Sequence, residues 1–200
     1  MNPFRPKSAV LLFAMALLGA CASPGGRLQQ AGSTAEVFDM RLDSDLAWAR
    51  IKARIKSPRQ ELWTIDGPGL NSLSVYNDIK PGEHVFQLGR ERKSNPNGPW
   101  FRPGMRPDEL RDVILDAIRG QGWAQVSDEN FRPHDFGGTP GIRFELRQTS
   151  PEGLIYLGSV AAVERGGKLD VLYWKAPAEY YAPRDAGAVA RMLDGLRHVK

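Results

Sequence analysis

"GIRFELRQTSPEGLIYLGSVAAVERGGKLDVLYWKAPAEYYAPRDAGAVARMLDGLR", residues 141 to 197, holds three apolar-rich runs and one helical pattern. The runs "GIRFELRQ", "GLIYLGSVAAVE" and "KLDVLYWKA" are separated by Pro151-Glu152-Gly153 and by Gly166-Gly167. Connections this short join antiparallel strands, and paired glycines supply the positive φ that a two-residue hairpin turn requires. The pattern predicts a three-stranded antiparallel meander. After Pro183, the residues Val189, Met192, Leu193 and Leu196 recur at helical spacing, so a last helix lays its apolar stripe on the sheet. Within "VLYWKAP", Val171, Tyr173 and Lys175 alternate with Leu172, Trp174 and Ala176, which sends Tyr173 and Trp174 to opposite faces. One face lies beneath a helix; the other is either a second core layer or an exposed binding surface.

Upstream, "RPDELRDVILDAIRGQG" predicts a helix. Pro107 suits its first turn, Asp108 and Glu109 favour its positive end, and Leu110, Val113, Ile114, Ala117 and Ile118 form one stripe before Gly120 and Gly122. "EVFDMRL" reads as one half-buried strand beginning near Glu36. "AWARIKARIK", residues 47 to 56, fits a strand with Ala49, Ile51, Ala53 and Ile55 inward and Arg50, Lys52, Arg54 and Lys56 in water. A helical alternative groups Trp48, Ile51 and Ile55. "ELWTI" and "LNSLSVYNDI" predict further strands around the turn Asp66–Gly69. Arg90 to Gly104 is rich in breakers and reads as a long loop, with Trp100 and Phe101 either pinned into the core or exposed to a partner.

Strands, a helix, a meander and a helix in that order predict an α+β domain, an antiparallel β-sheet flanked by helices in a layered sandwich. From Gly141 to Val199 the chain resembles the PsbP and Mog1-like fold family, in paired strands, a closing strand that ends in the step Ala176-Pro177, the aromatic pair Tyr180-Tyr181 and a last helix across the sheet. The resemblance implies a fold and leaves function open, because that fold serves unrelated roles.

The amino-terminal segment carries the sharpest functional signal. Arg5 and Lys7 precede the apolar run Ala9–Ala20, a length suited to a secretory signal and too short to span a bilayer. The chain's single cysteine closes that run, and Leu18-Gly19-Ala20-Cys21 looks like the lipobox of bacterial lipoproteins. The resemblance implies lipidation of Cys21 and cleavage before it, giving a signal peptide over 1–20, a lipidated cysteine with a flexible tether over 21–35 and a single domain over 36–200. Acyl chains contribute about 0.8 kcal/mol per buried CH₂, so more than one chain makes a durable anchor. Ala22 and Ser23 lack the aspartate of inner-membrane members, which points to the outer membrane, facing the periplasm.

With Cys21 modified, disulfides, zinc-thiolate sites and cysteine nucleophiles are excluded. Losing Arg5 and Lys7 with the signal lowers the net charge from +4 to +2, too slight a balance to argue for nucleic acid. The three histidines, His84, His134 and His198, show no metal-ligand or triad spacing, and "FGGTPG" lacks the lysine of a phosphate loop. No catalytic residue, metal or cofactor is expected. Trp100, Phe101, Arg102, Trp174, Tyr180 and Tyr181 are the candidate partner-binding residues. The expected function is non-covalent binding, as an accessory or assembly factor for an envelope complex. A hydrolase would instead need a cleft where carboxylates or a histidine converge, and a carrier of an apolar or lipid ligand would need an internal cavity.

Replacing Cys21 by Ser is expected to leave the domain folded while removing it from the membrane fraction or leaving its signal uncut. Normal processing with retention on membranes through high-salt washing would refute the lipobox reading.

Overall fold

The computed structural model describes residues 26–51, 58–87, 89–90 and 96–199. Its strands are β1 (Gly26–Gln29), β2 (Ser33–Val37), β3 (Met40–Ser44), β4 (Trp48–Ile51), β5 (Gln60–Thr64), β6 (Ser72–Ile79), β7 (Gln125–Asp135), β8 (Pro140–Thr149), β9 (Ile155–Arg165), β10 (Lys168–Pro177) and β11 (Arg197–His198). The helices are α1 (Pro107–Arg119) and α2 (Tyr181–Asp194). An eight-stranded antiparallel sheet runs in the order β1-β4-β5-β6-β10-β9-β8-β7, and a three-stranded sheet in the order β11-β3-β2.

The predicted meander is present as β8, β9 and β10. Gly166 and Gly167 both have positive φ, and Arg165 pairs with Lys168 across them. β10 is buried on both faces. Leu172, Trp174 and Ala176 enter a core shared with α2 and the small sheet, through Leu193, Val189, Met40 and Leu42. Leu169, Val171 and Tyr173 enter a second core beneath α1 and the loop after β6, with Ile114, Ile118, Phe86 and Phe101. In α1, Pro107 opens the helix and Glu109 reaches back to the Arg106 amide at 2.9 Å, supplying an acceptor that Arg106 itself lacks.

Four expectations are corrected. Residues 26–29 and 33–35, expected in a flexible tether, form strands of the two sheets. "EVFDMRL" is a hairpin: Val37 pairs with Met40 around Phe38, whose φ of 54° turns the chain and lets Val37 and Met40 both point inward. His134-Asp135, between Pro133 and Phe136, reads as loop in the sequence but ends an eleven-residue strand, Gln125 to Asp135. Its charged side chains suit the edge position, where they discourage pairing with another chain.

The fourth correction concerns β4, which is a strand with its faces reversed. Trp48 and Arg50 are buried while Ala49 is exposed. Residues 52–57, with Ala53, Ile55 and the cations Lys52, Arg54 and Lys56, lie outside the described residues. Arg50 is only 6% exposed, lies over the Trp63 ring at 4.8 Å, and donates from Nε and Nη2 to the two carboxylate oxygens of the buried Glu61. Its Nη1 also donates to the Glu36 carbonyl at 3.0 Å, which ties the small sheet to the large one. Both members of the pair are sealed from water, so removing one strands the other's charge.

Arg50→Ala is expected to cost about 3–5 kcal/mol, the usual penalty for an orphaned buried charge. The double variant Arg50→Met, Glu61→Leu is expected to recover most of that loss, as measured by denaturant unfolding.

Candidate functional site

The candidate contact residues divide sharply. Trp100 is 6% exposed, and Phe101 and Trp174 are fully packed, so the solvent-facing patch containing them does not form. Phe101 is held by main-chain bonds to Gly82 and Glu83, and Trp174 Nε1 donates to Asn71 Oδ1 at 2.9 Å. Arg102 is exposed beside them and reaches the Trp100 carbonyl. Tyr180 is 63% exposed, and Tyr181 packs partly against the α2-side core.

Tyr180 belongs to a patch that the linear pattern did not reveal. Strand ends bring together the β8–β9 turn with Leu154 and Ile155, the β5–β6 turn with Leu70, and the junction of β10 with α2. Leu154 is 60% exposed, and Leu70 and Ile155 are also open to solvent. The Ala178 amide donates to the Ile155 carbonyl at 2.9 Å, and Tyr156 Oη donates to the Gly69 carbonyl at 3.3 Å, which joins the three segments.

The patch stands on a rigid polar base. Arg184 lies over the rings of Tyr180 and Tyr181 at 5.5 and 5.4 Å, and the two tyrosines meet edge to face at 5.1 Å. The same guanidinium binds Asp185 and Asp66, which raises its already high pKa and links α2 to the β5–β6 turn. Asp185 is buried and accepts from Asn71, the residue that also holds Trp174. Exposed aromatics thus sit on fixed supports, so contact with a partner costs little ordering entropy.

On the opposite face of β10 from Trp174 lies Lys175, paired on either side with Ser72 and Gly158. Its Nζ stands 4.8 Å above the Trp123 ring, which meets Tyr156 at 5.2 Å in a T-shaped contact. Burial lowers its pKa from the ordinary lysine value, and no carboxylate pairs with it among the described residues.

The histidines occupy three separate places. His84 Nδ1 accepts from the Phe86 and Gln87 amides, and burial lowers its pKa. His134 Nε2 meets the Asp194 carbonyl at 3.0 Å. His198 Nε2 meets Asp170 Oδ2 at 2.9 Å in the interior, while Asp170 Oδ1 accepts from Asn77 and from the Asp78 amide. This last pair is sealed between the two sheets. Among the described residues no group of three His, Cys, Asp or Glu side chains is arranged to hold a metal ion. Two surface grooves, of about 490 and 360 Å³, are open to solvent. The first is polar, with Arg41 bonded to Glu36 and Arg197 to Asp43. The second is lined by Met105, Leu110, Pro133, Pro140 and Ile142. Neither is the enclosed chamber that a carrier would need. Cys21 lies outside the described residues.

Lys175→Met keeps the stem of the side chain and removes a charge that burial disfavours. It is expected to raise the melting temperature at neutral pH. Below the lysine's depressed folded-state pKa the charge penalty is fully present, and it fades as pH rises from there towards the ordinary unfolded value. The gain over wild type should therefore shrink at alkaline pH, as followed by thermal denaturation.

No protein-family model matches this chain, and no curated protein matches it. Among solved structures, the chain is similar to the cyanobacterial PsbP protein of Synechocystis sp. PCC 6803. That match has a TM-score of 0.54 and 16% identity over 90% of this chain and 98% of the other. It is also similar to a mutant of the protein Mog1, with a TM-score of 0.51 and 10% identity over 86% of this chain and 97% of that one. At these identities the likeness concerns architecture alone, and the architecture is that of the PsbP and Mog1-like fold.

Proposed function

We propose that this chain is a lipoprotein, held to a membrane of the cell envelope by acyl groups on Cys21, most simply the outer membrane. In this reading it works without chemistry of its own and docks a protein partner of an envelope complex. The observation that supports docking is the gathering of Leu70, Leu154, Ile155 and Tyr180 on one end of the sheet. Contiguous exposed apolar groups rimmed by charges mark contact surfaces. β1 runs towards this end, so its first residue, Gly26, lies on the side away from the patch. Four residues lie between Cys21 and Gly26, and the five Cα steps from one to the other reach at most about 17 Å, which keeps the anchored domain near the lipid.

Photo-crosslinking in the native cell tests the reading. A crosslinking residue in place of Leu154 or Tyr180 is expected to give one discrete adduct, absent when the probe replaces Arg191 and abolished by a second change, Leu70→Asp. Failure of both positions, or equal labelling from Arg191, would refute docking at this end.

A further inference from the structure

Six large apolar side chains are exposed among the described residues, and four of them, Leu70, Leu154, Ile155 and Tyr180, make up the docking end. The other two, Leu28 and Phe38, lie on β1 and on the β2–β3 hairpin. Phe38 stands at the hairpin tip and is 40% exposed. It is the first of the two turn residues, at φ 54°, a conformation that favours glycine and strains a bulky side chain. Neither core includes its ring.

Two strands that run side by side place this tip beside the tether. At the end of β1, Gln29 Nε2 donates to Ser33 Oγ at 2.6 Å, at the start of β2. Nearer the start of β1, Arg27 faces Arg50 across the sheet, and Arg50 reaches the Glu36 carbonyl near the end of β2. Arg27 and Glu36 also line the same polar groove. β1 and β2 therefore run in opposite directions, and Gly26 lies on the side where β2 ends and the chain turns at Phe38. The tip is pinned there. Asp39 accepts from Asn77 Nδ2 at 2.8 Å and pairs with Arg165, and its carbonyl accepts from the Val199 amide. Asn77 and Arg165 lie towards the ends of β6 and β9, whereas Leu70 and Ile155 lie at their beginnings. The tip and the docking patch thus occupy opposite ends of the molecule.

We infer that Phe38 is a second membrane contact, entering the lipid–water interface beside the acylated cysteine and turning the docking end away from the bilayer. The inference rests on the lipoprotein reading proposed above and adds which face meets the lipid. The five Cα steps from Cys21 hold the Gly26 end within about 17 Å of the anchor, and Phe38 belongs to that end. An exposed ring there loses contact with water by settling into the interface. The nearby charges are largely matched: Arg41 pairs with Glu36, Arg197 with Asp43 and Arg165 with Asp39. Of the groove's three arginines, Arg27 alone has no carboxylate partner among the described residues. The contact therefore draws on apolar burial and needs no anionic lipid.

Photolabelling from the bilayer tests this on the unmodified full-length protein, once mass spectrometry has established whether Cys21 is acylated. The protein is reconstituted into phosphatidylethanolamine–phosphatidylcholine vesicles that contain a phospholipid with a diazirine in its acyl chain. Light is expected to label the peptide that carries Phe38 and to spare those carrying Leu154 and Tyr180. The pattern should persist in ~1 M salt, which screens exposed charges. Phe38→Gly relieves the strained φ and should melt no lower than wild type while losing most of the label at the tip. An unlabelled tip, equal labelling of Leu154, labelling that salt removes, or full labelling in Phe38→Gly overturns the inference. An unlabelled tip that instead crosslinks to a second copy of the chain overturns it in favour of self-association. Protein without acyl groups on Cys21 would remove the anchor itself, whereas acylated protein with an unlabelled tip would keep the anchor and remove only this contact.

Discussion

Everything in this molecule follows from one strand that has no face to give to water. From Leu169 to Trp174 every residue of β10 is buried, and Tyr173 and Trp174, neighbours in sequence, lie in different cores. An alternating strand needs one covering layer; this one needs two. The chain supplies both: α2 and the small sheet cover one face, and α1 with the loop after β6 covers the other.

The layers are joined by charges as well as by apolar contact. Arg50 reaches from β4 to Glu61 and to the small sheet. Arg143, almost wholly enclosed, bonds Asp194 at the end of α2, the Ser159 hydroxyl and the Val160 carbonyl. Desolvation lowers its pKa even against the opposing effect of Asp194. Asp170 meets His198 from β11. Each joint costs desolvation that apolar residues would avoid. Each also fixes how one layer sits on another, which apolar packing alone leaves looser. Arg184 plays the same part at the surface and so sets the pose of Tyr180.

The regularities that repeat along the chain were legible in the sequence. The meander, both helices and the opposed faces of Tyr173 and Trp174 follow from period and turn chemistry. The errors arose where partners distant in sequence decide. Alternation in "WARI" identifies a strand, but only Glu61 and Trp63 on the neighbouring strand make Arg50 the inward residue. β7 looks like a loop because an edge strand has little apolar content and contains Pro133. Phe38 is an unusual residue for a positive-φ turn, so the hairpin has no local signal. Of the site, Tyr180 was visible as part of an aromatic pair. Leu154 and Leu70 were not, since isolated leucines at turns acquire meaning only when the turns are brought together. Lys175 looks like an ordinary strand cation until Trp123 is placed beneath it.

The connectivity of the small sheet governs when folding can finish. β11 pairs with β3, so the last described strand shares a sheet with the hairpin of residues 33–44, and the Val199 amide closes it by donating to the Asp39 carbonyl. In the large sheet, β6 likewise waits for β10, its neighbour across the loop, α1 and the strands β7 to β9. Contacts between segments so distant form late and slowly. A nascent chain therefore holds its first strands without their covering layers until almost all of it has been made. The same delay suits the export in extended form that the proposed lipoprotein role would require.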